Sequence, residues 1–167
     1  YIFRVVENLK ELTGFGLARA ENLIEATQNN DAFAEVSGIM KACAVNLVKV
    51  SNDLRFMSSG PDAGIGELIL PPRQPGSTIM PGKINPVIPE AVIQAALKVM
   101  ANDAAVGQAC AMGHLELNAF MPLIADSYLE SIDLLISSVS ILYTHCVEGL
   151  AVNEAVCRRH VENSTAT

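Results

Sequence analysis

The chain has 167 residues, half of them hydrophobic, with a formal charge of -7, only 5% aromatic residues and a mean hydropathy of +0.32. That is enough apolar chain for one domain over residues 1–167 with a sizeable core. The balance is acidic and no basic run is longer than Arg158-Arg159, which excludes a nucleic-acid surface as the expected role.

With Trp absent, the core falls to Ala, Val, Ile, Leu and Met, residues that suit close helix packing. The longest charge-free apolar run near the C-terminal end, residues 134–147, is interrupted by serines and falls short of the roughly 18 residues of a membrane span, so it reads as core. Cys43, Cys110, Cys146 and Cys157 form no CxxC pair and no Cys/His ligand spacing. Buried free thiols in a reducing compartment are expected, hence the cytoplasm. Because Tyr1 already lies inside an amphipathic pattern and Asn163-Ser164-Thr165-Ala166-Thr167 brings no closing element, the chain is expected to be part of a longer protein.

In chain order, Ile2, Val5, Val6, Leu9 and Leu12 predict a first helix that Thr13-Gly14 ends. Residues 17–27 predict a weaker helical or irregular piece, and Gln28-Asn29-Asn30-Asp31 a cap for the next helix. From residue 31 to 59, Phe33, Val36, Met40, Cys43, Leu47, Val50, Leu54 and Met57 alternate by three and four, predicting a long helix with a heptad seam. Gly60-Pro61 stops it. Residues 60–85 show no helical period; Leu68 to Leu70 are expected to anchor that connection, and residues 67–70 are the one candidate strand. Pro86 suits the first turn of a further helix, with Val92, Ala95, Ala96, Val99, Asp103 and Val106 on one face of small residues. Met112-Gly113-His114-Leu115-Glu116-Leu117-Asn118 predicts a break. After Pro122, Ile124, Tyr128, Ile132, Leu135, Val139, Leu142 and Cys146 predict another long helix, ended by Gly149, and Asn153 caps a shorter one to about residue 162. The expected fold class is all-α, a bundle of long helices.

The chemistry concentrates in one stretch, Pro75-Gly76-Ser77-Thr78-Ile79-Met80-Pro81-Gly82-Lys83-Ile84-Asn85-Pro86. Two hydroxyls, a cation and a carboxamide lie between glycines that widen the backbone's choices and prolines that narrow them. Such a set suits a carboxylate: Lys83 supplies a point charge, Asn85 a neutral donor and acceptor, Ser77 and Thr78 hydroxyls, and loop amides an anion-binding concavity. A surface turn is the plain alternative, but structureless connections beyond about 12–15 residues are usually functional or disordered. His145 and His160 sit in helical patterns as structural groups, and His114 lies at the predicted break. Taken alone, Glu90 is a helix-dipole residue.

This stretch resembles the signature loop of the aspartase/fumarase superfamily, with Ser77-Thr78 where the superfamily usually has two serines. The resemblance extends over Val50-Ser51-Asn52-Asp53-Leu54-Arg55, Ser59-Gly60-Pro61, Asn102-Asp103 and Glu116-Leu117-Asn118, in superfamily order. It implies a homotetrameric lyase whose central domains share a helical bundle, with active sites built from three subunits and a mobile catalytic loop over about residues 73–86. It further implies that Ser77 is the base that takes a proton from the carbon beside a substrate carboxylate. Thr78, Lys83, Ile84 and Asn85 match the substrate-binding set, and Glu90 matches the acid paired with a histidine on a segment outside this chain. The implied substrate is a small dicarboxylate, with no metal or organic cofactor, no nucleic acid and no membrane.

Ala26-Thr27-Gln28-Asn29-Asn30-Asp31, Leu70-Pro71-Pro72-Arg73-Gln74-Pro75-Gly76 and Val87-Ile88-Pro89-Glu90-Ala91-Val92 are aspartase-like and imply reversible deamination of L-aspartate to fumarate and ammonia. Gly113-His114-Leu115-Glu116-Leu117-Asn118 is fumarase-like and keeps a class II fumarate hydratase as the alternative. A non-enzymatic alternative is a helical oligomerisation module, and the isolated chain is expected to be inactive.

Overall fold

A computed structural model describes residues 1–165. Ala166 and Thr167, the last two residues of the single domain expected over 1–167, lie outside the described residues. The fold is all-α, as the periodicity predicts. In order it contains α1 (Ile2–Thr13), α2 (Leu23–Gln28), α3 (Asp31–Met57), a two-residue strand β1 (Leu68–Ile69), α4 (Val87–Ala111), α5 (Met121–Leu142), β2 (Ala151–Val152) and α6 (Glu154–Glu162). A π-helical turn, Tyr143–Val147, continues α5.

Local chemistry accounts for most boundaries. Gly14 takes the left-handed conformation with φ 70° and returns its N–H to the Lys10 carbonyl, ending α1. Asn22 caps α2 by accepting from the N–H groups of Ile24 and Glu25. Asn153 accepts from the Val156 N–H at the start of α6, as predicted. The cap expected from 28–31 is different in kind: Asn30 occupies the cap position, yet its side chain makes no capping bond, and Asp31 Oδ1 accepts from Ala32 N–H instead. Leu115, with φ 49°, lies in the break between α4 and α5, where His114 and Leu117 exchange backbone hydrogen bonds.

The core lies between α3, α4 and α5. Its middle holds Ala44, Ala96 and Val99; toward the start of α4 come Val92, Leu142 and Cys146, and toward its end Val106, Ala109 and Ile124. Full burial of each valine contributes about 1.5–3 kcal/mol, so Val92, Val99 and Val106, one heptad apart on α4, form the main apolar spine. The seam of α3 departs from the sequence reading. Its buried line is Ser37, Ala44 and Ser51, flanked by Met40, Leu47 and Leu54, whereas Phe33, Val36, Cys43 and Val50 are exposed. Small side chains let α3 and α4 approach closely, and the larger apolar residues turn aside onto a surface this chain does not cover. Cys43 is therefore exposed rather than buried, while Cys146 is buried. Burial raises the Cys110 and Cys146 thiols above their ordinary range, which keeps both protonated at neutral pH.

Several polar groups are paired across the helices, whereas Ser51 Oγ and Asn30 Nδ2 are buried without a partner. Asn102 Nδ2 lies 2.8 Å from Glu130 Oε2, 3.2 Å from Ser131 Oγ and 3.3 Å from the Ser127 carbonyl, and its Oδ1 accepts from Lys98 Nζ at 3.0 Å. The Asn102 amide, followed by Lys98, draws the Glu130 carboxyl below its usual range. On the opposite flank Asp103 accepts from Ser37 Oγ at 2.9 Å and pairs with Lys41, joining α3 to α4. Among the described residues no helix is long and apolar enough to cross a membrane. Since truncating Asn102 removes the amide that ties α4 to Ser127, Glu130 and Ser131 of α5, one of them a carboxylate, Asn102→Ala is expected to lower the stability of the chain by about 1–3 kcal/mol. Urea denaturation followed by circular dichroism checks it, and an unchanged midpoint would contradict the cross-helix role.

Candidate active site

The long connection between α3 and α4 is fastened at its base before it becomes chemically interesting. Glu67 accepts the Asn153 N–H on its carbonyl at 2.9 Å, and its carboxylate lies 2.8 Å from His160 Nδ1. Leu68–Ile69 pairs antiparallel with Ala151–Val152, a partner strand that sequence reading does not reveal. Leu70 packs beside Val92, Leu142 and Cys146, which is the anchoring predicted for it. Arg73 then donates from Nε to the His145 carbonyl at 2.8 Å and from Nη2 to the Thr144 carbonyl at 3.3 Å. These carbonyls belong to the π-helical turn, so a cation meets the negative end of α5 and holds the loop there.

Beyond Arg73 the chain forms a small hairpin. Gly76 N–H donates to the Lys83 carbonyl at 2.7 Å, Pro75 and Ile84 bridge in antiparallel fashion, and Asn85 Nδ2 donates to the Gly76 carbonyl at 3.3 Å. Residue 76 has to be glycine for steric reasons: a Cβ there would sit 2.8 Å from the Lys83 carbonyl oxygen and 3.0 Å from Lys83 Cγ. Lys83 N–H closes the tip onto the Met80 carbonyl at 3.2 Å, with Gly82 at φ 79°. Ser77 Oγ accepts from Ile79 N–H at 3.2 Å, a local turn that fixes the hydroxyl oxygen.

The candidate residues are distributed about this hairpin. Lys83, Ile84, Asn85 and Glu90 line one cleft of about 780 Å³, together with Arg55 and Ser58. Among the described residues Lys83 makes no ion pair, which leaves a free cation in that cleft. Ser77 lines a separate depression together with Lys83 and Ile84, and Thr78 is exposed. Thus Lys83, Asn85 and Glu90 share a cleft that neither hydroxyl lines, while Ser77 shares its own depression with Lys83 and Ile84. Asn85 spends one N–H on the loop neck, so its remaining N–H and Oδ1 are what a ligand would meet. A second cleft, of about 380 Å³, lies between the neck and the π-helical turn and is lined by Arg73, His145, Cys146 and Asn153.

One residue of the cleft has no assigned role from sequence. Arg55, in the last turn of α3, reaches Glu90 in the first turn of α4, Nη2 to Oε1 3.4 Å. Its position within Ser51-Asn52-Asp53-Leu54-Arg55 is the only signal the sequence offers, and nothing local ties it to a carboxylate 35 residues away.

The family model described as "Lyase" matches residues 1–101, more than half of the chain. Aspartate ammonia-lyase of Helicobacter pylori is 49% identical over 160 residues, covering 96% of this chain and 34% of that protein. Aspartate ammonia-lyase of Pseudomonas fluorescens is 51% identical over 159 residues, covering 95% and 33%. The chain therefore spans about a third of the length of the curated relatives it matches. Among solved structures, a protein described as fumarate lyase:delta crystallin from Brucella melitensis superposes with TM-score 0.93 at 45% identity, over 97% of this chain and 38% of that one. Class II fumarase of Schistosoma mansoni superposes with TM-score 0.87 at 33% identity, over 97% and 36%. The signature hairpin, the all-α scaffold that carries it and the lyase match over residues 1–101 lead to one assignment: the chain belongs to the aspartase/fumarase superfamily of lyases.

Proposed function

We propose that this chain is the central, loop-bearing part of a longer lyase that deaminates L-aspartate to fumarate and ammonia. The observation that carries the reading is the cleft in which unpaired Lys83, Asn85 and Glu90 meet. Relatives named aspartate ammonia-lyase at 49–51% identity support the choice of substrate.

The substrate's carboxylate is held by the Lys83 ammonium, the Asn85 carboxamide and the Thr78 hydroxyl, with Ile84 as the apolar wall. Ser77 is the base. Its Oγ takes the proton from the carbon beside that carboxylate; the C–H electron pair moves onto the carboxylate, which becomes a dianion stabilised by the same cation and amides. The pair then returns to form the carbon–carbon double bond as the C–N bond breaks and the amino group leaves as ammonia. An ordinary hydroxyl is far too weak an acid to be ionised at neutral pH, so the alkoxide must form next to Lys83 with water excluded. For this the hairpin tip closes on its neck, turning Ser77 and Thr78 toward the cleft, and residues 73–86 are the moving loop. Glu90 pairs with a histidine contributed from outside the chain.

A fumarate hydratase is the second reading, favoured by His114 in Gly113-His114-Leu115-Glu116-Leu117-Asn118 and by the similarity to a class II fumarase. The lyase acts as a homotetramer in the cytoplasm. Apolar side chains left exposed on α1, α3 and α5, among them Phe3, Leu12, Ile39, Leu129 and Ile136, support the assembly, since they give each long helix a second apolar face. The oligomerisation-module alternative is confined to the isolated chain, which lacks the other subsites and is inactive.

The longer protein is expected to release ammonia from L-aspartate, measured by coupled assay alongside fumarate absorbance, and to turn over L-malate far more slowly. Malate turnover without ammonia release would replace the aspartase reading by the fumarase one. In the same protein, Ser77→Ala is expected to lower kcat by about 10²–10⁴-fold while an unreactive dicarboxylate still binds with nearly unchanged Kd, because a base acts in the transition state. Retained turnover would reject Ser77 as the base.

A further inference from the structure

We propose that Arg55 is a positioning residue for Glu90, holding that carboxylate at the wall of the cleft where it serves the reaction. The assignment rests on the lyase reading of the site.

Three observations lead to it. First, the α3 terminus and the α4 start are joined here by a charged pair that faces the cleft: Arg55 Nη2 lies 3.4 Å from Glu90 Oε1, and both residues share the lining with Lys83 and Asn85. Second, the guanidinium is itself oriented. Nη1 donates to Asn52 Oδ1 at 3.2 Å, one turn earlier on α3, while Nε is buried without a partner. A planar fork with one arm tied to its own helix and its Nε enclosed has little freedom to place the other arm. Third, the pair is too exposed to matter much for folding, with 40% of the Arg55 side chain and 38% of the Glu90 side chain accessible. Surface ion pairs of this kind add little to stability. Placement of the carboxylate is thus the larger consequence of the contact.

Arginine is required by this geometry. Lysine presents a single point charge and cannot use Asn52 and Glu90 from two edges of one plane. Glu90 lies in the first turn of α4, where the helix N-terminus favours a carboxylate without fixing which way its oxygens turn, whereas the Arg55 contact fixes Oε1. With that lateral hold the carboxylate is in place before a histidine from outside the chain arrives, which lowers the reorganisation needed at the reacting site.

The test is a double-mutant cycle in the full-length enzyme, assayed with L-aspartate and with L-malate, the cycle being read on whichever is turned over. Arg55→Gln is expected to lower kcat/KM at least tenfold, mostly through kcat, and to leave the melting temperature unchanged. Arg55→Lys recovers part of the loss. Glu90→Gln lowers kcat/KM on its own, and adding Arg55→Gln to it costs less than a further twofold, because the second change removes a hold on a group already disabled. Multiplying losses, or a loss residing in KM alone, would overturn the assignment and put Arg55 on the substrate directly. A wild-type enzyme active on neither substrate would overturn the lyase reading and this assignment with it.

Discussion

The close approach of Gly76 to Lys83 is the constraint on which the site depends. A 2.7 Å backbone hydrogen bond and the absence of a Cβ bring two strands of loop together so tightly that the lysine has to emerge at the neck, beside Asn85 and above the first turn of α4. Everything chemical is placed relative to that contact. Asn85 reinforces it through the Gly76 carbonyl, Gly82 turns the tip, and Ser77 and Thr78 follow directly on Gly76 along the strand that leads to that tip. The base of the loop is held independently by Arg73, Leu70 and the β1–β2 pair, so the neck has a fixed footing.

The helical scaffold serves this arrangement by bringing the end of α3 next to the start of α4. Packing of Ala44 against Ala96 and Val99, and of the serines along α3 and α5, keeps the helices close over their whole length. Arg55 and Glu90 are consequently within reach although they are far apart in sequence. The cost of such small-residue packing is that α3 and α5 each keep a second apolar face. Phe33, Ile39 and Val50 on α3, with Ile136 and Val139 on α5, are exposed in the single chain. The close-packed scaffold and the exposed apolar faces thus follow from the same choice of side chains.

Sequence reading recovers the long helices, their breaks and the loop because these depend on local signals. Gly14, Asn153 and the apolar periods each act within a few residues. It errs where several chains of contact compete. The heptad of α3 contains two apolar stripes, and period alone does not say that Ser37, Ala44 and Ser51 are the line that meets α4 while Phe33 and Val50 face outward. The cap expected from residues 28–31 is also altered by packing: Asn30 holds the cap position but is 4% exposed, its carbonyl accepts from Cys110 Sγ, and its side chain makes no capping bond. Three features have no local signature at all. The π-helical turn, the β2 partner of β1 and the Arg55–Glu90 pair arise only when distant segments pack. Within the candidate site, Lys83, Asn85 and Glu90 stand out in the sequence and share a cleft; that Ser77 lines a separate depression was not legible, since it depends on how the hairpin folds.

Replacing the glycine of the neck tests the central claim most directly. In the full-length enzyme, Gly76→Ala forces the Lys83 carbonyl and side chain away from an intruding methyl group, and a displacement of that size at a reacting site is expected to cost about 100-fold in kcat/KM. The melting temperature should hardly change, because the neck lies outside the α3, α4 and α5 core. Full activity in this variant, or a loss explained by unfolding, would contradict the account.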